Sequence, residues 1–518
     1  MVMPIQSDEI EKYESSRPTG NINRTARESS MTELDTESDV TVKLAPGAEP
    51  SQETIEKEKS DRNCKRLVPS TLRGTTPAPY VGISNFGNTC YLNSCLQVLY
   101  YIPGFHEGLS SLHNAFEEIQ CWSHGAPEAD SSVSNERSEG DEPKERESET
   151  LREFLKSLVG LYAQLGPRSR HHPTDQYAAD AKLPMMYCCS ADPHPFLKAL
   201  SAANEQFGAA SEQQDVHEFW GWLISYLESG HVHVKKMNER QRAHDLAQSD
   251  DQEQYKKNKK KRPREASQDA STEQPEQSYK KKKEETNSCQ KSSDPSFVEK
   301  MFRGEIRSTV KCLECELESH HDECFYDISL SIEREKNQEL SCLLDQFVKK
   351  CLLCKSEKYK CSSCLSDVEA FFFTKIHRLP KILVFHLKRF EWCMNNQCGE
   401  VHGYIPQMNK INHHISYPEK LVIDPKWLCE VSVGEHSKAA EALEYSLCGI
   451  IFHLGTSTYY GHYTAAVKLP DSEAQEGKEW IILDDQRVSY ASQQDIVNAH
   501  SPEFKSLSTA YMLFYLKT

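Results

Sequence analysis

The sequence has no run of 18 apolar residues. That is about the length a helix needs to cross a membrane, so we expect no membrane span. The first ten residues do not combine a basic start with an apolar stretch, so we do not expect a signal peptide. Hydrophobic residues make up only 37% of the chain, against about 45–50% in ordinary globular proteins by a count that includes glycine. This shortage predicts that a sizeable part of the 518 residues lies outside a packed core.

The chain is also short of positive charge, because 61 lysines and arginines face 78 aspartates and glutamates, for a net charge of −17. This balance argues against nucleic-acid binding by the chain as a whole, although it leaves a local basic patch open. Nineteen cysteines in a chain of this length do not indicate a small disulfide scaffold. We therefore expect a reducing compartment, in which cysteines are metal ligands, nucleophiles or buried apolar residues.

Three polar segments account for much of the apolar shortage: residues 1–78, an acidic stretch at 123–150 and a lysine-rich stretch at 232–295. We predict that all three are disordered, because they hold too few apolar residues to form a core. In the third segment, seven of the nine residues from Lys256 to Arg264 are basic, which predicts a nuclear import signal. A solvated insertion and electrostatic attraction to nucleic acid are alternatives for this stretch.

The apolar pattern between these segments changes along the chain. Cys90–Tyr101 and Gln213–Leu227 place their apolar residues at helical spacing. From about Phe371 onward, short β-rich runs follow one another, separated by polar or proline-containing breaks. Helices first and strands later predict an α+β fold, in which a helical part packs beside an antiparallel sheet.

Cys90 is the candidate nucleophile, because it follows a turn rich in glycine and asparagine and precedes a helical pattern. A cysteine at a helix start lies at the positive end of the helix dipole, which favours the nucleophilic thiolate. Backbone N–H groups of the turn and the Asn85 amide could donate to a developing oxyanion. The alternative is a small buried apolar residue, which is the role that we expect for Cys95.

A cysteine nucleophile needs a base, and the base needs a group that orients it. His462 is the candidate base, because it begins a β-rich run just after Gly461. Asp484 and Asp485 follow an apolar run about twenty residues later, and either could hold the His462 ring. Strand alternation points them to opposite sides, so only one can do so. The alternative is that both aspartates simply begin a turn.

Two cysteine pairs, Cys312-x-x-Cys315 and Cys361-x-x-Cys364, have the spacing of a tetrahedral zinc site. The 45 residues between the pairs exceed the usual spacing of about 15 to 20. The pair Cys351-x-x-Cys354 therefore competes as a ligand pair. The sequence predicts zinc, and it leaves the choice among these three pairs open.

Four blocks of the sequence resemble those of the ubiquitin-specific proteases. GISNFGNTCYLNSCLQVLYYIPGF resembles their cysteine box, and QQDVHEFWGWLI resembles their Gln-Gln-Asp helix. LPKILVFHLKRF is similar to a hallmark strand, and GHYTAAVK with WIILDDQRV resembles the histidine box. The blocks follow the family order from about Val81 to the last residue. Within the family, they are most similar to a nuclear enzyme that acts on DNA-repair substrates with a WD40-repeat activator.

The resemblance implies a papain-like hand fold with a helical thumb, an antiparallel β palm and zinc-bearing β fingers at about 303–370, in one catalytic domain at 79–518. It implies that Cys90 is the nucleophile, His462 the general base and Asp484 the orienting residue. Asp485 would support the oxyanion side, where Asn85 would be a donor. The channel for the ubiquitin tail would be lined by Gln213, Asp215, Gly461 and Tyr463. The family's zinc positions fall on Cys312, Cys315, Cys361 and Cys364.

The function implied is thiol-dependent hydrolysis of the isopeptide bond between ubiquitin and a substrate lysine. The expected partners are ubiquitin, ubiquitinated nuclear proteins of DNA repair or chromatin, and a WD40-repeat activator. We expect the chain in the nucleus and also in the cytoplasm. A catalytically silent ubiquitin-binding scaffold and a protease for another ubiquitin-like modifier are the alternatives. The sequence has no Gly-Gly pair, so the self-cleavage site of the narrower relative is missing.

Overall fold

A computed structural model describes residues 78–123, 142–167, 190–209, 212–259, 294–333, 338–395, 405–429, 443–455, 461–474, 477–498 and 508–518. Of these residues, 308–321 and 348–374 form a smaller compact unit, and the remainder forms a larger one. No helix in the described part of the chain is long and apolar enough to span a membrane.

The larger unit contains the α-helices. They are α1 (Cys90–Tyr101), α2 (Phe105–Ser123), α3 (Glu142–Tyr162), α4 (His194–Ala203), α5 (Glu205–Gly208), α6 (Val216–Lys259), α7 (Phe297–Phe302), α8 (Leu340–Phe347) and α9 (Gln493–Asn498). Short 3₁₀ turns occur at Lys355–Glu357 and Pro425–Trp427. The start of α6 is fixed by Asp215, whose side chain accepts hydrogen bonds from the backbone N–H groups of His217 and Glu218.

The first strands in chain order are β1 (Tyr80–Val81), β2 (Gly166–Pro167), β3 (Gly304–Cys312), β4 (Glu318–Phe325), β5 (Ile328–Ser331), β6 (Gln338–Glu339), β7 (Cys351–Leu353), β8 (Tyr359–Cys361), β9 (Ser366–Val368) and β10 (Ala370–Arg378). The later strands are β11 (Ile382–Lys388), β12 (Phe390–Asn395), β13 (Ile405–Lys410), β14 (Ile415–Ser416), β15 (Lys420–Val422), β16 (Glu444–Leu454), β17 (His462–Lys468), β18 (Trp480–Asp484), β19 (Arg487–Ala491) and β20 (Ser508–Lys517).

An eight-stranded sheet carries the strand order β19-β18-β17-β16-β20-β11-β5, and β15 also pairs with β16. Its neighbours are antiparallel except for β5, which runs parallel to β11. β17 begins at His462 and the adjacent antiparallel strand β18 ends at Asp484, with Ala465 opposite Leu483. Because the start of one strand therefore lies beside the end of the next, the pairing brings these two polar residues to the same edge of the sheet.

Helix α1 packs against this sheet and is buried almost throughout, since every residue from Cys90 to Leu99 is inaccessible to solvent. The approach is close at Gly449 of β16, where an added Cβ would lie 2.9 Å from Val98. Trp220 of α6 packs edge-on against Phe302 and Phe514, which joins the helices to β20. This core holds the start of α1 in place against β17.

The smaller unit contains β7, β8, β9 and parts of β3, β4 and β10. β10 pairs with β7 in a sheet of order β4-β3-β10-β7, and β8 pairs with β9. Its small apolar cluster is built on Cys312, Cys361 and Val368. With so few apolar residues, this unit needs a further source of stability such as a metal or a disulfide.

The predicted α+β class is confirmed, but two predicted boundaries are corrected. Residues 142–150 belong to α3 and residues 232–259 continue α6, although both stretches were expected to be disordered. Polar helices can extend beyond the core when one end is anchored, and α6 is buried as far as Val234. The rest of those segments, with residues 1–77, lies outside the described residues. Cys324 is disulfide-bonded, so the expectation of reduced cysteines is wrong there.

Candidate active site

Cys90 is the first residue of α1, and its side chain is buried against the end of the sheet. Gly87 in the preceding turn has φ +104°, a conformation that favours glycine. The first backbone N–H groups of α1 have no partner inside the helix. Cys90 therefore lies at the N-terminal end of α1, which is the positive end of the helix dipole.

His462 connects the cysteine to a carboxylate. Its Nε2 lies 2.6 Å from Oδ1 of Asp484, and Cys90 lies close enough to the ring to act on its pKa. Burial acts to lower the pKa of His462, but the hydrogen bonds and charges of Asp484 and Cys90 raise it well above its usual value. The structure thus brings the three sequence-predicted residues together, with Asp484 hydrogen-bonded to His462 and Cys90 beside it.

Asp485 has a different set of contacts. Its carboxylate accepts hydrogen bonds from Asn85 Nδ2 at 2.8 Å and Asn93 Nδ2 at 2.7 Å, and its carbonyl accepts one from Gln97 Nε2 at 3.0 Å. The distance from its Oδ2 to His462 Nε2 is 3.9 Å. Burial raises the pKa of Asp485, although the charge of His462 and the hydrogen bond from Asn85 act to lower it. Asp484 therefore holds the histidine, and Asp485 holds Asn85.

Asn85 is fixed at both ends of its amide. Its Nδ2 donates to Asp485, and its Oδ1 accepts from the Thr89 hydroxyl at 3.2 Å. The Thr89 hydroxyl in turn accepts from the backbone N–H of Phe86 at 3.2 Å. An amide nitrogen carries two hydrogens, and among the described residues Asp485 is the one acceptor of Asn85 Nδ2.

Sequence reasoning missed Asn93 and Gln97. Both are buried polar residues of α1 and hydrogen-bond to Asp485. They lie four residues apart, so they share one face of the helix. A polar pair at this spacing in an otherwise apolar helix was the available signal, because buried amides need partners.

Gln213 and Gly461 form a reciprocal pair across the site. Gln213 Nε2 donates to the Gly461 carbonyl at 2.7 Å, and the Gly461 N–H donates to Gln213 Oε1 at 2.9 Å. A Cβ on Gly461 would lie 2.1 Å from Nε2 of His453, so no larger residue fits there. The pair fixes the backbone immediately ahead of His462.

Asp215 and Tyr463 are the other two predicted channel residues. Asp215 accepts a hydrogen bond from the Tyr511 hydroxyl at 2.5 Å and from the start of α6. Tyr463 is only 6% exposed, and its ring packs against His453 and Tyr511. Its ring therefore packs among buried aromatic residues, and the role of Tyr463 in lining a channel stays a prediction.

The four predicted zinc ligands, Cys312, Cys315, Cys361 and Cys364, lie together in the smaller unit and could hold a metal ion. Cys312 Sγ accepts a hydrogen bond from the backbone N–H of Cys315, and Cys361 Sγ accepts one from that of Cys364, both at 3.5 Å. The Leu317 N–H lowers the pKa of Cys315 to about 6. Cys351 and Cys354 lie outside this cluster, so the competing ligand set is not the one that the structure assembles.

A second group with metal-binding residue types is His217, Asp327 and His386. The two imidazole rings are stacked, with centroids 3.7 Å apart and planes at 16°. An imidazole nitrogen binds a metal along a lone pair that lies in the plane of its ring. Lone pairs in two nearly parallel planes do not meet at one ion, so this group is a stacked pair held by Asp327 at 2.9 Å.

The sequence profile of the ubiquitin carboxyl-terminal hydrolase family matches residues 81–515. The chain belongs to this family. The chain is 25% identical over 475 residues to the probable ubiquitin carboxyl-terminal hydrolase creB of Aspergillus flavus, covering 85% of this chain and 55% of that protein. It is 26% identical to ubiquitin carboxyl-terminal hydrolase 4 of Arabidopsis thaliana over 439 residues, covering 84% of this chain and 93% of that protein.

One solved structure of a ubiquitin carboxyl-terminal hydrolase has a similar fold. It is the SAGA Ubp8/Sgf11/Sus1/Sgf73 DUB module bound to ubiquitin aldehyde, with a TM-score of 0.50 and 22% identity. The match covers 90% of this chain and 74% of that chain. The chain spans only about 55% of the length of the creB proteins, so it corresponds to a part of those longer relatives.

Replacing Asp484 with asparagine tests the contact with His462. The change removes the negative acceptor, so we expect the pKa of His462 to fall by about one to two pH units, the equivalent of about 1.5–3 kcal/mol for a charged hydrogen bond. The measurement is an NMR titration of the labelled His462 ring in a Cys90→Ala background, where the imidazole titrates without the thiol. Asp471→Asn, at an exposed position, is the matched control. An unchanged His462 pKa in Asp484→Asn would show that the contact has no electrostatic role.

Proposed function

We propose that the chain is a thiol-dependent deubiquitinase, which hydrolyses the isopeptide bond between the terminal glycine of ubiquitin and a lysine. Cys90 is the nucleophile, His462 the general base and Asp484 its orienting residue. The observation that carries this proposal is the hydrogen bond between His462 and Asp484, with Cys90 close enough to act on the pKa of His462. The family membership supplies the substrate class.

The raised pKa of His462 favours a protonated ring. In the proposed mechanism the nucleophile is the thiolate form of Cys90, which is the reactive form of a cysteine. The thiolate attacks the glycine carbonyl and forms a tetrahedral intermediate. When the C–N bond breaks, His462 gives its proton to the departing lysine amine and a thioester remains. The neutral ring then takes a proton from water, whose hydroxide attacks the thioester and releases ubiquitin as a carboxylic acid, which loses its proton to solvent. Cys90 recovers its thiolate and His462 keeps the proton.

Asn85 supplies the oxyanion donor in this mechanism. Its amide is held from two sides by Asp485 and Thr89, so it is oriented before the negative charge develops. A donor that needs no reorientation stabilises the transition state more than the ground state. Asp485 acts through Asn85 and is a positioning residue.

The extended tail of ubiquitin binds near Gln213, Asp215 and Gly461. The Asp215 carboxylate lies at the N-terminus of α6 with its oxygens ordered by Tyr511 and His217. An ordered carboxylate can accept N–H groups from an extended peptide. Gly461 contributes its backbone to this channel, because His453 and the Leu454 carbonyl fill the space that a side chain would need.

The first test is a ubiquitin that carries a C-terminal electrophile. We expect the wild-type chain to gain the mass of one ubiquitin on Cys90, because only an activated thiol in the tail channel reacts. Cys90→Ala should form no adduct and should hydrolyse the reporter more than 1,000-fold more slowly. Cys342→Ser, at an exposed cysteine, is the control and should form the adduct and hydrolyse the reporter as the wild type does. Labelling of Cys90→Ala would contradict the assignment of the nucleophile.

The same electrophile attached to other ubiquitin-like modifiers tests whether one of them is the substrate. A wild-type chain that binds ubiquitin but is not labelled would be a catalytically silent scaffold.

The four-cysteine cluster holds zinc in our proposal. Tetrahedral zinc with bonds of about 2.3 Å places its sulfurs about 3.8 Å apart. The Sγ atoms of Cys312 and Cys364 are 3.9 Å apart, and those of Cys315 and Cys361 are 3.6 Å apart. Four thiolates in this arrangement fit a structural zinc, which would stabilise a unit that has little apolar core.

Metal analysis of the purified chain should find about one zinc per molecule. Cys315→Ser with Cys364→Ser should remove the zinc and destabilise the smaller unit. Cys351→Ser with Cys354→Ser is the matched control and should retain the metal. Loss of zinc from the control pair alone would show that the wrong ligands were chosen.

We further propose that the chain acts in the nucleus on ubiquitinated DNA-repair or chromatin proteins, with a WD40-repeat activator. The support is the basic run Lys256–Arg264 and the sequence resemblance. Changing the lysines and arginines of this run to glutamine should move a fluorescent fusion out of the nucleus and leave Cys90 labelling by the ubiquitin electrophile unchanged. Nuclear accumulation of that variant would overturn the import signal.

A further inference from the structure

Lys410, the last residue of β13, carries a buried ammonium group. The residue is 8% exposed, and its Nζ donates to the His453 carbonyl at 2.9 Å and to the Gly455 carbonyl at 2.7 Å. Burial, together with the nearby charge of Arg389, holds the pKa of Lys410 well below its usual value. Taking an ammonium out of water is costly unless it is hydrogen-bonded. The position of this lysine therefore calls for an explanation beyond solubility or surface charge.

The two carbonyls lie on either side of Leu454, the last residue of β16. Leu454 is the residue that pairs with His462 in the β16–β17 ladder. The His453 carbonyl also accepts a hydrogen bond from the Thr509 hydroxyl of β20 at 3.3 Å. Since β20 begins at Ser508, opposite Leu454, Lys410 binds β16 at the point where the ladder with β20 ends.

At Gly455 the backbone leaves the strand conformation of β16. Its φ is +112°, a conformation outside the strand region that lets the chain leave β16. Strand ends without ladder partners fray, and an unpaired carbonyl there would need another donor. The Lys410 ammonium supplies that donor to residues on both sides of the strand end.

We propose that Lys410 is a positioning residue for His462. It fixes the backbone of His453 and Gly455. It therefore holds Leu454, and with it the pairing partner His462, in position relative to the start of α1. Gln213 fixes the other side of the histidine through Gly461. His462 is thus held on two sides. Lys410 of β13 acts through Leu454, which pairs with His462, and Gln213 acts through Gly461, which precedes His462 in the chain. The proposal rests on the role of His462 given above.

The test compares Lys410→Met, which keeps the length and apolar stem and removes the donors, with Lys410→Arg, which keeps a donor. Lys420→Met is the matched control, because Lys420 is an exposed lysine on β15 that bonds to Glu444 at the other end of β16. Each variant is first checked for a cooperative thermal transition. The readouts are the rate of Cys90 alkylation by chloroacetamide at pH 7 and the kcat and KM for a ubiquitin C-terminal reporter.

In folded Lys410→Met, we expect kcat to fall by about 10- to 100-fold with KM within about threefold, because a small displacement of a catalytic group has effects of this size. Alkylation of Cys90 should slow by about fivefold or more, since it depends on the proximity of His462. Lys410→Arg should recover most of both rates, and Lys420→Met should match the wild type. A purely structural lysine would lower the melting temperature and leave the rates of the folded protein unchanged, which would overturn the proposal.

If Lys410→Met does not fold, Lys410→Gln is used to test the positioning role instead. Its amide donor is one bond shorter and cannot reach both carbonyls unless Gly455 moves. A folded Lys410→Gln with slowed alkylation supports the proposal, and one with wild-type alkylation and kcat overturns it. The alkylation rate involves no ubiquitin, so a chain that fails to hydrolyse ubiquitin but shows this dependence on residue 410 would refute the proposed function and leave the positioning role standing.

Discussion

The hydrogen bond between His462 and Asp484 is the contact on which the rest of the site depends. It exists because β17 begins where the antiparallel strand β18 ends, so strand pairing alone brings the ring within 2.6 Å of the carboxylate. The packing of α1 on the same strands then sets Cys90 against the ring. Removing either the pairing or the helix contact would leave three ordinary polar side chains that do not interact.

A single backbone conformation separates the roles of two adjacent aspartates. Asp484 is the last residue of β18, whereas Asp485 has φ +53° and has left the strand. The left-handed turn sends the Asp485 carboxylate toward α1, where Asn93 and Asn85 donate to it. Among residues other than glycine, aspartate and asparagine adopt such a φ more readily than most. Strand alternation predicts that the two carboxylates point to opposite sides, but Asp485 has left the strand, and an oxygen of each carboxylate lies within 4.8 Å of the other and of the His462 ring. The turn, and not the alternation, decides where the Asp485 carboxylate goes.

The fold class and the separate parts of the site were predictable because each leaves a local signal. Cys90 follows a turn and begins a helical pattern, and the four cysteines occur as two short pairs. What could not be predicted depends on contacts between residues far apart in the chain, such as the burial of the Tyr463 ring and the bond from Lys410 to residues more than forty positions away. The long α6 was missed because its polar half gives no periodic apolar signal beyond Val234.

Buried cations bound to backbone carbonyls are a recurring device around this site. Arg389 is 1% exposed and donates to the carbonyls of Ala510, Ile411 and His413, as Lys410 does to His453 and Gly455. Each carbonyl lies in or next to a strand end, where the ladder leaves acceptors without N–H partners. One guanidinium or ammonium offers several donors from a single side chain, so it can join segments that no strand could pair. The hydrogen bonds offset the cost of taking these charges out of water, and they hold irregular backbone in one position. The backbone that flanks His462 is such a place.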